Sequence, residues 1–201
     1  MTAEKPASPI LPAATILLLR DTPAFEVLMV KRHHQIDFAS GALVFPGGKT
    51  HAGDHDPAWA ERTVGGGGIG AEQRGLRIAA VREVYEEAGI LLARDASGGP
   101  FCGDDRAHAA REAISKDERS FLDLARELDV RLDLDALTVF ARWITPNIMP
   151  RRFDTWFYVA RANARTLVTV EPVVERRESG SVLVIPPDAG YGAVVERMPA
   201  N

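Results

Sequence analysis

Three glutamates lie within five positions of one another, at Glu83, Glu86 and Glu87 of the segment AAVREVYEEAGI. An α-helix turns by about 100° per residue, so on a helix these side chains share an arc of about 100°. Like charges at this spacing destabilise a helix by a few tenths of a kcal/mol per pair. Arg82 or a divalent cation could offset that repulsion. The spacing therefore indicates either a solvated acidic face or a metal site.

The residues around the glutamates favour the metal site. Mg²⁺ prefers oxygen ligands, and proteins usually hold it through one or two carboxylates together with substrate phosphates. A Pro-Gly-Gly turn at residues 46–48 could expose backbone carbonyls to it. We expect the helix to bury its opposite, apolar side on a sheet and to hold the carboxylates outward; that side comprises Ile78, Val81, Val84, Tyr85 and Ala88. In the alternative interpretation, the glutamates form a solvated face paired with Arg82 and Arg77.

These residues resemble the sequence box of the Nudix hydrolase family. The second half of that box, Arg-Glu-apolar-x-Glu-Glu-x-Gly-apolar, is complete here as REVYEEAGI, residues 82–90. The preceding FPGG, residues 45–48, is also typical of the family. The first half is matched by GKTHAGD, with Gly48 as the opening glycine and Asp54 where the family has a glutamate. The family spacing from that acid to the arginine is eight positions, whereas Asp54 and Arg82 are 28 apart, so about twenty residues are inserted.

The resemblance implies a fold and a set of roles. The fold is of the α/β (α+β) class, a mixed β-sheet sandwiched between helices, with the box as a loop–helix–loop catalytic motif. Glu83, Glu86 and Glu87 match the family's metal ligands, and the carbonyl of Gly47 matches a further one. Arg82 matches an arginine that orients the acidic cluster. The implied cofactor is Mg²⁺ or Mn²⁺, which activates a water for attack on a diphosphate.

The insertion points to a subgroup. An insertion within the box is unusual and, with WITPNIMPRRFDTWFYVA, resembles the branch that includes peroxisomal coenzyme A diphosphatases. The upstream segment KRHHQIDFASGALVFPGG keeps the Lys31 and Arg32 of coenzyme A-cleaving members, but has Asp37 for a spaced arginine and Leu43 for a valine. The leading interpretation is a diphosphatase of coenzyme A or acyl-CoA. The alternatives are ADP-ribose, NADH or a dinucleoside polyphosphate as substrate, or a non-catalytic nucleotide-sensing module.

Other polar residues could contribute to substrate binding or catalysis. Arg32, Arg151 and Arg152 are candidates for binding substrate phosphate. Arg151 and Arg152 could instead pair with Asp154. In some family members a downstream loop glutamate acts as general base, and the spacing does not select among three candidates: Glu171, Glu175 and Glu178.

Two further patterns carry weaker signals. His51 and His55 lie four positions apart, but Gly53 and Pro57 disfavour a regular helix there, so we expect no transition-metal site from them. The run GGGGIG, residues 65–70, has no strand before it and no Lys-Ser/Thr after it, so it is interpreted as a linker and not a phosphate-binding loop. The sequence leaves open whether the insertion is a lid or slack.

The elements that must position these residues follow from hydrophobic patterning. We expect a flexible N-terminal tail over residues 1–12 and a single domain over residues 13–201, with the inserted loop at about residues 55–75. The predicted strands are residues 14–21, 25–32, 42–49, 137–146, 153–161 and 181–187. The predicted helices are residues 76–92, 116–128 and 189–198.

Composition narrows the function class and the location. A formal net charge of −4 argues against general nucleic-acid binding, and no stretch approaches the ~20 apolar residues of a membrane span. Cys102 is the only cysteine, so no internal disulfide can form, and we expect it to be partly buried and unreactive. We expect a cytoplasmic protein whose partner is a small nucleotide-derived substrate. The oligomeric state is left open.

Overall fold

The structure, a computed structural model, describes residues 8–20, 25–31, 43–162, 173–177, 180–185 and 192–197. Its strands are β1 (Ile10–Arg20), β2 (Glu26–Lys31), β3 (Leu43–Val44), β4 (Gly47–Lys49), β5 (Thr63–Val64), β6 (Ala93–Arg94), β7 (Arg131–Asp133), β8 (Thr138–Ile144), β9 (Arg152–Arg161), β10 (Val173–Arg177), β11 (Gly180–Ile185) and β12 (Gly192–Arg197). Its helices are α1 (Ala71–Ala88), α2 (Asp105–Ser115) and α3 (Phe121–Glu127). Short 3₁₀ turns lie at Ala52–His55, Pro57–Glu61 and Leu134–Ala136.

A mixed sheet of nine strands forms the main layer. Its order is β10-β11-β12-β2-β1-β9-β8, with β3 paired to β2 and β4 paired to β1. β1 runs parallel to β9 and antiparallel to β2 and β4. Parallel neighbours need a long crossover connection, and here that connection carries all three described helices. It also carries a small second sheet of order β5-β7-β6. The mixed α/β architecture predicted from the sequence is thereby confirmed.

Helix α1 is enclosed on nearly all sides. It packs against β1 and β4 on one side and contacts α2 and the first 3₁₀ turn as well. Its buried residues therefore lie all round the helix, and they are Gly75, Leu76, Ile78, Ala79, Ala80, Val81, Arg82, Glu83, Val84, Tyr85 and Ala88. The prediction of outward-facing carboxylates is wrong for Glu83, which is only 8% exposed. The helix begins at Ala71, five residues earlier than predicted, and ends at the predicted Gly89, whose φ is 71°.

The inserted segment is tied to the core at several points. The Trp59 side chain is 1% exposed, donates its Nε1–H to the Gly53 carbonyl at 2.9 Å, and lies 5.5 Å from the Phe121 ring centre. Strand β5 pairs with β7, and the Gly66 N–H donates to Oδ1 of Asp135 at 2.7 Å. These contacts fix the segment at several points, so it is neither simple slack nor a free lid.

Four other details differ from the sequence prediction. Strand β1 begins at Ile10, so residues 10–12, predicted as tail, pair with β9 instead. Helix α2 is missing from the prediction. Within the predicted helix at residues 189–198, residues 192–197 instead form strand β12, because they pair with β2. Cys102 is exposed.

The helix predicted at residues 116–128 is present in shortened form. Helix α3 begins at Phe121, where the Ser120 hydroxyl accepts the Asp123 N–H at 3.3 Å. Helical spacing places Phe121, Leu124, Ala125 and Leu128 on one apolar stripe, and all four are buried. Among the described helices, none has the length and apolar character needed to cross a membrane.

Candidate active site

The Gly47–Gly48 turn of β4 packs directly against the glutamates of α1. The Gly47 N–H donates to Oε2 of Glu87 at 3.1 Å. A Cβ atom added at Gly48 would lie 2.6 Å from Oε1 of Glu83. Only glycine therefore allows this carboxylate to lie so close to the strand.

The backbone pairing of β4 directs the Gly47 peptide groups toward the glutamates. Gly47 lies opposite Thr15, and the adjacent bond joins the Ile16 N–H to the Pro46 carbonyl at 2.9 Å. Bonded and non-bonded pairs alternate along an antiparallel ladder, so Gly47 and Thr15 form a non-bonded pair. Both the N–H and the C=O of Gly47 consequently point away from β1, and the N–H reaches Glu87. The carbonyl predicted as a metal ligand thus lies on the glutamate side.

Arg82 lies at the centre of the acidic cluster and is 4% exposed. Its Nε and Nη2 donate to the two carboxylate oxygens of Asp54 at 2.9 and 3.0 Å. Its Nη1 donates to Oε1 of Glu86 at 2.8 Å and lies 3.0 Å from Oε1 of Glu83. Nη2 also donates to the Lys49 carbonyl at 3.1 Å. One guanidinium therefore links the first 3₁₀ turn, β4 and two glutamates.

Asp54, the predicted box acid, returns to the site despite the insertion. It lies in the first 3₁₀ turn, is 2% exposed, and accepts the His51 N–H on Oδ2 at 2.7 Å. This turn contacts α1, so the backbone brings a side chain one carbon shorter than glutamate within reach of Arg82. The added residues fold after Asp54 and leave its position next to the helix intact.

Three carboxylates of the cluster share one guanidinium in the described part of the chain. Asp54, Glu83 and Glu86 each contact Arg82, and Glu87 accepts the Gly47 N–H beside them. Burial raises the pKa of Glu83 to about 7, and the charge of Glu86 adds to that rise while Arg82 opposes it. Burial also raises the pKa of Glu86. A bound proton or an added cation would lower the repulsion between these carboxylates.

The neighbouring carboxylates raise the pKa of Arg82. Burial by itself lowers the pKa of this guanidinium, but the hydrogen bonds and charge of Asp54, with the charges of Glu83 and Glu86, raise it above its ordinary value. Arg82 is therefore charged at any physiological pH. Its single positive charge faces the three carboxylates of Asp54, Glu83 and Glu86.

The candidate ligand atoms of the cluster fit a hard divalent cation, since all of them are carboxylate or carbonyl oxygens. The side chains are turned toward Arg82 and the Gly47 N–H, and in the described part of the chain no three His, Cys, Asp or Glu side chains gather closely enough to hold a metal ion. Binding a cation here thus requires the glutamate side chains to rotate away from the hydrogen bonds that they accept.

The arginines predicted to bind phosphate are not all brought to this cluster. Arg152 donates its Nε–H to the Thr145 carbonyl at 3.0 Å. On β1, its partner Ile10 lies five residues before Thr15, the partner of Gly47, so Arg152 is about 16 Å away from the β4 turn along the strands. Arg151 is exposed just before β9. Asp154 binds Arg142 through both oxygens, at 2.8 and 2.6 Å, so the alternative that it pairs with Arg151 or Arg152 is wrong.

Several predicted residues lie outside the described residues. These are Arg32, Glu171 and Glu178. For Glu175 the structure describes only the backbone, in strand β10. Their roles stay predictions.

His51 and His55 face different neighbours. The His55 ring packs on Gly75 of α1, where an added Cβ would lie 2.2 Å from Nδ1. His51 instead lines a cavity of about 300 Å³ beside the cluster, together with Asp54, Arg82 and Glu86. The turn between α2 and α3 forms the opposite wall of this cavity. The cavity is at the lower end of the size range for small-molecule sites.

Sequence reasoning misses two residues that support the cluster. One is Trp59, which anchors the inserted segment beside Asp54. The other is Arg111 of α2, which donates to the backbone carbonyls of Glu86 and Glu87 at 2.8 and 2.7 Å. The signal that could have found it is an arginine on the apolar stripe of an alanine-rich helix.

Comparisons with known proteins point to one family. A sequence profile of the NUDT19 Nudix domain matches residues 66–179. The acyl-coenzyme A diphosphatase NUDT19 of Homo sapiens is 30% identical over 184 residues, which cover 70% of this chain and 49% of that protein. The Xenopus laevis protein of the same name is 26% identical over 195 residues, covering 74% of this chain and 50% of that protein. The chain thus spans about half the length of these curated relatives.

A solved structure shares the fold. The crystal structure of a Nudix hydrolase from Alicyclobacillus acidocaldarius superposes with a TM-score of 0.65 at 27% sequence identity. The match covers 78% of this chain and 71% of that one.

Proposed function

Because the chain belongs to the Nudix hydrolase family, we propose that it is a divalent-cation-dependent diphosphatase. Its substrate is a nucleoside diphosphate joined to another moiety, and coenzyme A or an acyl-CoA is the leading candidate. One observation carries the proposal: the fold gathers Asp54, Glu83 and Glu86 around one guanidinium and holds Glu87 against the adjacent glycine turn. Carboxylates collected in this way are what divalent cations would need in order to bridge the protein to a diphosphate.

Each part of the cluster has a distinct role in this proposal. Glu83, Glu86, Glu87 and the Gly47 carbonyl would hold Mg²⁺ or Mn²⁺, which when bound neutralises the diphosphate and makes a water nucleophilic. Arg82 restrains the glutamates while its own plane is fixed by the two hydrogen bonds to Asp54. Asp54 therefore acts through Arg82.

The substrate assignment is supported by the relatives and by the upstream segment. Two curated relatives are named acyl-coenzyme A diphosphatases. The segment KRHHQIDFASGALVFPGG partly matches the pattern of coenzyme A-cleaving members. The substitutions in that segment, Asp37 and Leu43, are the reason to test other diphosphates alongside.

A substrate panel tests the proposal. The protein is incubated with Mg²⁺ and, separately, coenzyme A, an acyl-CoA, ADP-ribose, NADH and diadenosine polyphosphates. Release of 3′,5′-ADP together with 4′-phosphopantetheine or its acylated form supports the leading substrate. Turnover of ADP-ribose, NADH or a dinucleoside polyphosphate alone would replace it. Binding without turnover across the panel would identify a sensing module and refute the enzyme.

A substitution links that activity to the cluster. Glu86→Gln keeps the size of the side chain but removes a charged ligand, so we expect turnover to fall at least ~10²-fold. Glu112→Gln is the matched control, because Glu112 lies on α2 in an exposed pair with Lys116. Near-wild-type turnover in Glu86→Gln would remove the assignment of the site.

A further inference from the structure

Arg111 occupies a place on α2 where an apolar residue is expected. The inward stripe of this helix consists of Ala107, Ala110, Arg111 and Ile114, and Arg111 is only 9% exposed. Burying a guanidinium carries a large desolvation cost unless its N–H groups are satisfied. Its partners therefore indicate what it does.

The guanidinium binds the end of α1. Arg111 donates its Nε–H to the carbonyl oxygen of Glu86 at 2.8 Å and its Nη2–H to that of Glu87 at 2.7 Å. The last four carbonyls of a helix have no partner within it. Here the Tyr85 carbonyl accepts the Gly89 N–H at 2.8 Å, and the next two carbonyls are satisfied by Arg111. A cation at this end also interacts favourably with the helix dipole.

The two carbonyls belong to residues that carry the carboxylates of the proposed site. The Glu86 side chain reaches Arg82, and the Glu87 side chain reaches the Gly47 N–H. The final turn of a helix frays most readily, and fraying would reorient both Cα–Cβ bonds. Fixing the two peptide groups from the side of α2 fixes the origin of both side chains while leaving their outer torsions free.

We propose that Arg111 is a positioning residue for the diphosphatase reaction: by holding the Glu86 and Glu87 carbonyls, it keeps the last turn of α1 in the geometry in which both carboxylates can reach a divalent cation. This inference rests on the proposed function. It adds a residue from outside the sequence box, and it assigns α2 a role in the site.

The test compares three variants of the full chain. Arg111→Met removes the donors and the charge but retains much of the volume. Arg111→Lys keeps the charge and loses the planar fork that reaches two carbonyls. Arg106→Met is the control, since Arg106 lies on the same helix but is exposed and pairs with Asp104. Circular dichroism establishes that each variant is folded.

Two readouts separate positioning from simple stability. The first is Mn²⁺ affinity measured by electron paramagnetic resonance without substrate, and the second is the division of the kinetic effect between kcat and KM. We expect Arg111→Met to weaken Mn²⁺ binding and lower kcat by about 10–100-fold each, as is usual when a group supporting a metal ligand is lost. KM should change less than about threefold, Arg111→Lys should lie between, and Arg106→Met should match the wild type.

The outcomes distinguish this inference from the proposed function. A wild-type protein that binds Mn²⁺ but cleaves no diphosphate would refute the function, and the Mn²⁺ comparison would still decide the role of Arg111. An active wild type matched by Arg111→Met in both Mn²⁺ affinity and kcat would refute the positioning role alone. Should Arg111→Met fail to fold, Arg111→Lys decides by the same two readouts.

Discussion

Asp54 and Arg82 lie 28 positions apart in the chain, and the fold joins them by a buried, two-pronged ion pair. Both side chains are at most 5% exposed. The pair connects the residue before the insertion to the residue that restrains the glutamates. It therefore ties the chain just before the insertion to the helix that carries the glutamates.

Breaking this pair should cost both stability and activity. Removing one partner of a buried ion pair typically costs about 3–5 kcal/mol. For Asp54→Asn we expect the low end of that range, because Glu83 and Glu86 still face Arg82. The freed guanidinium should also bind the glutamates more tightly and lower turnover about 10–100-fold. Urea denaturation and a turnover assay measure the two effects.

The control for this prediction is Asp129→Asn. Asp129 pairs with Arg62, but its side chain is 70% exposed, so the loss should stay below about 1 kcal/mol. Equal losses of stability in the two variants would contradict a special role for the Asp54–Arg82 pair.

Gly48→Ala should damage the site without unfolding the protein. An added Cβ would lie 2.6 Å from Oε1 of Glu83, and that carboxylate can move aside by rotation of its side chain. We expect a folded variant whose turnover falls about 10–100-fold, because Glu83 is displaced from the position proposed for a metal ligand. The measurement is kcat/KM with circular dichroism on the same sample.

Gly53→Ala is the matched control for that substitution. An added Cβ at Gly53 meets no heavy atom within 4 Å, so activity should match the wild type. If Gly48→Ala is as active as Gly53→Ala, the close approach of Glu83 to the turn has no catalytic importance.

The metal-free protein should lose stability as pH rises from about 4.5 to 7. Burial raises the pKa of Glu83 from 4.5 to about 7, so in this window the folded chain binds more protons than the unfolded chain. The free energy of unfolding falls with pH under that condition. The contribution is complete below pH 4.5 and lost as pH passes through about 7, and it amounts to about 3 kcal/mol.

Denaturation in the presence of a chelator measures this effect across the pH window. Glu83→Gln should flatten the curve, and the difference between the two proteins isolates this carboxyl from all others. Saturating Mg²⁺ should also flatten the wild-type curve, because a cation takes the place of the proton. Parallel curves for the wild type and Glu83→Gln would contradict the prediction.

The sequence predicts the parts of the fold that depend on local signals. Branched apolar runs predict β1, β2 and β9, and Gly89 marks the end of α1 because only glycine readily adopts its left-handed conformation. Other elements depend on which strands pair with one another, which local sequence does not show. Residues 192–197 contain two valines and a glycine, and they form a strand because β2 offers them a free edge.

The sequence predicts which residues belong to the candidate site, but not which neighbouring elements cover them. Helical spacing places Glu83, Glu86 and Glu87 together, and the resemblance adds Arg82 and the turn. Neither source shows that α2 covers the second side of α1, because no helix was predicted at residues 105–115. Nor does either source show how closely the β4 turn approaches Glu83, whose burial raises its pKa to about 7.

The enclosure of α1 has a consequence for how a ligand could be accommodated. With a sheet on one side and α2 and the first 3₁₀ turn also packed on it, the backbone of this helix cannot shift to meet an incoming ion. Adaptation is then confined to the torsions of three glutamate side chains, each only a few bonds long. The peptide groups that carry the ligands then stay in place, and the carboxylates alone rearrange around the ion.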